Sequence, residues 1–425
     1  MDDKPAALPR TVGFWGTALF PVNGMIGAGI FALPAGIYAA VGNFAPWMML
    51  IGGICFLPLA LCYGWMAARF DNSGGSMLYG AAAFGRFVGF QAGWARYASA
   101  IVTAAANTHV IITYLGALFP ALQDPAITPW AAAFVIAVMT AINVYSMRAS
   151  IGTLGTLTVI KLLPLAGLVI AGAIVGSSRG EVVLPQFSQI EAVILTTYYA
   201  FIGFEGVVEA AGEMKNPRRD VPRAIVTMVS GVTLFYVLII WAYIALGADG
   251  ADSENALATV AGDAVGTAGT IAIVIAASVS SAANNFASGV ALPRLSFGMA
   301  EQGVLPRWFG RVHPRFGTPS NAILFYGAAA IGFGLWEGFA ALAVAGTLVR
   351  LITYMITTLA LPVLEKRDGR VVPLHMVCVV IAVAGTLFVG SFAPLQAWVV
   401  LAGIVTVGTL FYFIAARERP LAEPA

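Results

Sequence analysis

Asn23-Gly24-Met25-Ile26-Gly27-Ala28-Gly29-Ile30-Phe31 lies in the middle of the first apolar stretch of this chain, and Phe201-Ile202-Gly203-Phe204-Glu205-Gly206 in the middle of the sixth. Clustered glycines weaken a helix where an unbroken one is expected. Backbone left bare at that depth persists only where it is buried in protein or lines a cavity. Glu205, beside the second cluster and near the middle of its span, is costly there and marks a functional-site hypothesis. Discontinuous helices in matching positions of two halves point to a transporter's binding site.

The composition leads to the same class. Of 425 residues, 60% are hydrophobic and 10% charged, and the mean hydropathy is +0.88. Soluble domains carry roughly 25% charged residues. The chain reads as an all-α polytopic membrane protein. His109, His313 and His375 are scattered, and no His, Cys or carboxylate cluster has metal-ligand spacing. Cys55, Cys62 and Cys378 all fall in apolar spans, where they read as small core residues rather than a disulfide framework. A net charge of +2 does not suggest a nucleic-acid partner. No nucleophile–base constellation appears, so neither an enzyme nor a cofactor is expected. Met1 to Arg10 lacks the apolar core and cleavage site of a secretory signal and is expected to be retained.

A hydrocarbon core about 30 Å thick needs roughly 20 apolar residues per helix. On that measure twelve spans are expected. The first six are Val12–Val41, Ala45–Ala68, Phe87–Phe119, Pro129–Tyr145, Thr153–Val175 and Ile190–Gly212. The second six are Ala224–Leu246, Thr267–Leu292, Pro319–Leu335, Phe339–Leu364, Val371–Val389 and Ala393–Ala415. With a cytoplasmic N-terminus, Lys4, Arg10, Arg69, Arg86, Arg148, Lys215, Arg218, Arg219 and Arg223 fall inside. So do Arg294, Arg307, Arg311, Arg315, Lys366, Arg367, Arg370, Arg417 and Arg419, while Arg179 alone falls outside. This bias orients the chain with both termini cytoplasmic. The inner loop Pro293–Thr318 is long and basic, and carries Trp308, Phe309 and Phe316. It suits an amphipathic segment at the membrane surface or a part in gating.

The two glycine clusters are five spans apart, and an odd offset inverts the second unit in the membrane. That is the arrangement of inverted-topology repeats, with substrate held near the midplane. Residues 12–176 form the first five-helix repeat, 190–364 the second, and 371–415 two additional helices, all in one transport domain. Residue-level similarity between the halves is slight, so the repeat rests on position and glycine content.

Four stretches resemble the amino acid–polyamine–organocation (APC) superfamily of transporters. Ile26-Gly27-Ala28-Gly29-Ile30-Phe31 resembles its first-helix glycine motif. Ala200-Phe201-Ile202-Gly203-Phe204-Glu205, followed by Lys215-Asn216-Pro217-Arg218-Arg219-Asp220-Val221-Pro222-Arg223-Ala224-Ile225, resembles its sixth helix and next inner loop. Met299 to Pro306 with His313-Pro314-Arg315-Phe316-Gly317-Thr318-Pro319 resembles the loop after helix eight, and Ser73-Gly74-Gly75-Ser76 the loop after helix two. The resemblance implies the five-plus-five, leucine-transporter-type fold with helices one and six broken at mid-membrane. It also implies an amino acid or related amine as substrate, and alternating access driven by protons or by exchange. The location it suggests is a cell membrane, the inner membrane of a bacterium.

An amino acid needs donors for its carboxylate and acceptors for its ammonium. Freed N–H groups at a new helix start suit the anion, and freed carbonyls the cation. Gly27, Ala28 and Gly29 are therefore the expected carboxylate site, unless the glycines only permit close helix packing. Many family members carry a serine where this chain has Ala28, so the cradle is purely backbone. The resemblance assigns the ammonium to carbonyls around Ile26 and near Tyr199 and Ile202. Tyr199, Phe201 and Phe204 flank the second break as a gate or as packing. Burial favours the neutral form of an isolated carboxylate, so Glu205 is a candidate proton carrier. The other reading is a fixed hydrogen-bonding group that holds the unwound segment. Glu209 and Glu213 follow as inner-gate or surface groups.

Lys161 lies deep in span five and needs a partner. By the resemblance it occupies the place of a sodium ion and bridges helices one and eight, implying sodium independence. Arg96 and Arg350 are intramembrane charges for which ion pairing with a carboxylate is expected. Asn284, with Asn285, Ser280 and Ser281, makes a polar stretch facing the interior, near the substrate side chain or the cation position. Asn23, Trp94, Asn107 and His109 are weaker candidates. The main expectation is a secondary amino acid transporter, with protons and the lipid bilayer as partners. A polyamine or organic-cation carrier is the alternative within transport, and a non-transporting sensor or structural subunit the alternative outside it.

Overall fold

The computed structural model describes residues 12–70, 75–145, 151–177, 180–209, 214–247 and 255–418. Lys4, Arg10, Ser73, Gly74, Arg148, Arg179, Glu213, Arg419 and the Glu209 side chain lie outside what it describes. Among the described residues the chain is helical, with no strand and one isolated bridge between Val12 and Met214.

Each of the twelve apolar segments is helical, and the first and sixth are each two pieces. The first is α1 (Phe14–Met25) and α2 (Gly29–Val41), followed by α3 (Ala45–Ala67). The short α4 (Gly75–Phe84) precedes α5 (Arg86–Gly116), α6 (Thr128–Tyr145) and α7 (Ile151–Val175). The sixth segment is α8 (Phe187–Tyr199) and α9 (Gly206–Glu209), followed by α10 (Pro217–Gly247). The short α11 (Ala256–Val265) precedes α12 (Thr267–Glu301), α13 (Ser320–Trp336), α14 (Phe339–Arg367), α15 (Pro373–Ser391) and α16 (Leu395–Glu418). Nine helical stretches among the described residues are long and apolar enough to cross a membrane. The chain is an integral membrane protein.

Three boundaries differ from the sequence expectation. Helix α10 starts at Pro217 rather than Ala224, because proline is well suited to a first turn. Helix α12 runs on to Glu301, so the beginning of the expected inner loop is helix. Part of the connection between the expected seventh and eighth spans is α11. In addition, Cys62 and Cys378 are buried, whereas Cys55 sits on the exposed face of α3; all three are free thiols.

The helices pair across the two halves. Helix α3 lies along α10, α5 along α12, and α6 along α13, while α14 packs on α5 and α7 on α10 and α12. The two short helices occupy the same place in each half. Helix α4 leads through Gly85 (φ 89°) into α5, and α11 through Gly266 (φ 73°) into α12. Both turns need a left-handed backbone, which glycine adopts without a Cβ penalty. In each, a glycine of the long helix meets an alanine of the short one: Gly89 with Ala81, and Gly269 with Ala261.

Candidate functional site

The first break follows from losing helical hydrogen bonds at Gly27 and Gly29. The Gly27 N–H turns back to the Met25 carbonyl at 2.9 Å, and α2 restarts as Phe31 and Ala32 donate to Ala28 at 3.0 and 3.1 Å. The N–H groups of Ala28, Gly29 and Ile30 have no acceptor among the described residues. They are buried, with Ala28 1% and Ile30 2% exposed. Three inward N–H groups at a helix start make a place for an anion.

The carbonyls of this break are engaged. Lys161 of α7 donates from Nζ to the Ile26 carbonyl at 2.7 Å, and Ser280 of α12 donates to the same oxygen at 3.0 Å. Ser280 also lies 3.2 Å from the Gly27 carbonyl. Tyr236 of α10 donates to Met25 at 2.7 Å. The Asn284 amide donates to the Asn23 and Gly24 carbonyls at 3.2 and 3.1 Å. Lys161 and Ser280 of α12 thus share one helix-one carbonyl. Ile26 presents no vacant lone pair in this conformation.

The second break runs through Ala200–Glu205. Phe201 and Ile202 donate to Tyr198 and Tyr199, both at 3.1 Å, after which Gly203 takes φ 111° and the helix resumes at Gly206. The carbonyls of Ala200, Phe201 and Ile202 accept no hydrogen bond among the described residues. The turn that follows them, at Gly203, lies directly against the Gly24 backbone of the first break. A Cβ on either glycine would overlap the other's backbone.

A polar chain joins the two breaks. Tyr199 donates to Asn107 Oδ1 of α5 at 3.1 Å, and Asn107 Nδ2 donates to Asn284 Oδ1 at 3.0 Å and Asn285 Oδ1 at 2.9 Å. Asn284 stands over Gly27, and the Tyr199 ring over Gly29. Phe339 at the start of α14 packs edge-on to Tyr199, with ring centroids 5.8 Å apart. The structure therefore brings Gly27, Gly29, Tyr199 and Asn284 together. The rings of Phe201 and Phe204 pack instead with Phe56 of α3, and Phe204 also with Tyr63 and Tyr354.

Glu205 is 2% exposed and is met by four groups. Arg350 of α14 makes a short ion pair with Oε1, and Arg96 Nε of α5 lies 3.8 Å from the same oxygen. The Gly203 N–H and the Tyr354 hydroxyl donate to Oε2 at 3.0 and 3.2 Å. Arg350 is in turn held by Ser99 of α5, its Nε donating to the serine hydroxyl at 2.8 Å. The carboxylate expected for these arginines is Glu205 in both cases. Tyr236, Tyr354, Ser99 and Phe339 were not singled out from the sequence, where each sits in apolar text that reads as packing. The signal available was the set of orphan carbonyls and the charge at the breaks, which need donors from neighbouring helices.

Two touching helix breaks, one with free N–H groups and the other with free carbonyls, suit a membrane transporter for a small molecule. The chain belongs to the amino acid permease family, an APC superfamily group, which it matches over residues 12–416. It is 28% identical over 392 residues to an uncharacterized transporter of Mycobacterium tuberculosis, covering 84% of this chain and 81% of the relative. It is 29% identical over 417 residues to the serine/threonine exchanger SteT of Bacillus subtilis, covering 92% of each. The methylthioribose transporter of Bacillus subtilis is 25% identical over 451 residues, covering 98% of this chain and 96% of the relative.

Proposed function

We propose that this protein is a sodium-independent secondary transporter of amino acids, working by alternating access through proton coupling or exchange. The observation that carries the reading is the pairing of the breaks. The N–H groups of Ala28, Gly29 and Ile30 and the carbonyls of Ala200, Phe201 and Ile202 lack partners among the described residues, and Gly29, Ile30 and Ala200 line one narrow cavity. A zwitterion satisfies both sets at once: its carboxylate takes the N–H groups and its ammonium the helix-six carbonyls. The name of the serine/threonine exchanger favours an amino acid; that of the methylthioribose transporter keeps other solutes within the family's range.

The fold underlying this function is a twelve-span, five-plus-five inverted repeat. Its support is the cross-pairing of α3 with α10, α5 with α12 and α6 with α13, together with the matching short helices α4 and α11. The basic residues on alternate connections support cytoplasmic termini in a bacterial inner membrane. Sodium independence rests on Lys161, whose Nζ lies where a cation would bridge helix one and α12. Glu205, ringed by Arg350, Arg96, Tyr354 and the Gly203 N–H, fits the fixed anchor better than the proton carrier. Tyr199 and Phe339 form the aromatic lid, and Asn284 the polar floor above Gly27.

The test is uptake of a labelled amino acid panel by proteoliposomes, with and without an inward pH gradient, in sodium and in choline buffers. Uptake or exchange of an amino acid that is unchanged by sodium supports the reading. No uptake of any panel member rejects the substrate class, and sodium-driven uptake rejects the part played by Lys161.

A further inference from the structure

Break one is pinned from two helices: Lys161 of α7 and Ser280 of α12 converge on the Ile26 carbonyl. Break two is pinned from two helices as well: Arg350 of α14 converges on Glu205, and Ser99 of α5 holds the guanidinium. In the inverted repeat proposed above, α7 corresponds to α14, and α12 to α5. The positions correspond too. Lys161 is the eleventh residue of α7 and Arg350 the twelfth of α14. Ser280 is the fourteenth residue of α12 and Ser99 the fourteenth of α5, each counted from the left-handed glycine that starts its helix.

We infer that Arg350 is a positioning residue for the helix-six break, the symmetry counterpart of Lys161. Each broken helix then carries a resident cation beside a serine of the opposite repeat. Lys161 shares the Ile26 carbonyl with Ser280, and Arg350 donates to Ser99, with Arg96 3.8 Å from the Glu205 oxygen that Arg350 meets. The physical need is the same at both. An unwound segment inside a bilayer exposes carbonyl or carboxylate oxygens that lack helical donors, and a cation satisfies several of them at once. At break one the oxygens belong to the backbone, and a lysine point charge suffices. At break two the acceptor is a carboxylate, and a guanidinium can reach it from NH1 while its Nε faces Ser99. Glu205 Oε2 carries the link onward, because it accepts the Gly203 N–H at the left-handed turn of the break. Arg350 thus orders break two through Glu205. Its hydrogen bonds go to Ser99 and Glu205.

The assignment rests on the inverted repeat, and its test separates it from the transport reading. Amide hydrogen exchange is followed in the purified full-length protein over residues 24–31 and 200–209, alongside uptake of tritiated serine, threonine and alanine. Arg350→Met should speed exchange over 200–209 and leave 24–31 near wild type, and Lys161→Met should do the reverse. Removing one partner of a buried pair is more disruptive than removing both, so Arg350→Met should cost about tenfold or more in uptake. The double variant Arg350→Met, Glu205→Gln should recover to within about threefold of wild type. Arg350→Lys keeps the charge, loses the Nε contact to Ser99, and should fall between. If Arg350→Met does not survive purification, recovery of monodisperse protein in the double variant reads the same coupling. The inference is overturned if Arg350→Met leaves exchange over 200–209 unchanged, or if the second substitution restores nothing. If wild type transports none of the three amino acids, the exchange pattern still decides the part played by Arg350.

Discussion

Replacing Gly203 by alanine tests the contact on which the whole site is built. Gly203 adopts φ 111°, and a Cβ there would fall on the backbone of Gly24 in the other break. Neither obstacle is the end of a flexible side chain, so neither yields cheaply. Holding a residue with a Cβ in that backbone region costs about 1–3 kcal/mol. Forcing a methyl between two packed backbones costs about 1–3 kcal/mol more. The expected loss is therefore about 2–6 kcal/mol, concentrated where the breaks touch. A control exists in Gly231, inside α10 with open space around its Cα, where alanine should be neutral or stabilising by up to about 1 kcal/mol. The assay is the rate of thermal inactivation of purified protein in detergent, read by tryptophan fluorescence, beside proteoliposome uptake. Gly203→Ala should inactivate much faster than wild type and lose uptake, while Gly231→Ala should do neither. Wild-type stability and uptake in Gly203→Ala would refute the claim that the two breaks are held by backbone contact.

Other outcomes follow from the same geometry. Lys161→Met leaves the Ile26 carbonyl to Ser280 alone and should reduce uptake about tenfold or more, with sodium unable to restore it in a fixed-gradient assay. Asn107 is a buried amide and Asn284 a partly buried one; a side chain entering over Gly27 must separate them, and an apolar group would leave them unpaired, at about 1–3 kcal/mol. Threonine should therefore compete about tenfold better than its isostere valine, and Asn107→Leu should narrow that gap; equal competition in wild type would contradict it. At the basic end of the bundle, Glu365 accepts the Val372 N–H at 3.2 Å and pairs with His375, which stacks on Trp65 of α3. Glu365→Leu should cost about 1–3 kcal/mol and raise proteolysis of the 365–375 turn, and unchanged digestion would count against the staple.

The sequence carried a large part of this molecule. Among the described residues the twelve apolar segments are helical; the first break, Ile26–Ala28, falls inside the first quoted glycine cluster, and the second, Ala200–Glu205, overlaps the other. Glu205, Lys161, Arg96 and Arg350 announced themselves because a charge inside a span is costly anywhere in the fold. Residues such as Tyr236, Tyr354 and Ser99 did not, since a tyrosine or serine among apolar neighbours carries no local signature of its partner. The short helices α4 and α11 were also hidden, being too brief and too ordinary in composition to stand out from a loop.

What the sequence determined by itself is what depends on local runs of residues: apolar helix length, break position from glycine, and family from its motifs. The tertiary structure decided which groups meet. Arg350 and Glu205 are 145 positions apart, and Lys161 and Ile26 are 135 apart. Apolar helices gain little from one another in lipid, so their arrangement is selected by small residues in contact and by polar pairs across the interface. Those pairings leave no periodicity along the chain. That is why the sequence left two roles open for Glu205, while the fold places it beside Arg350, Arg96, Tyr354 and the Gly203 N–H.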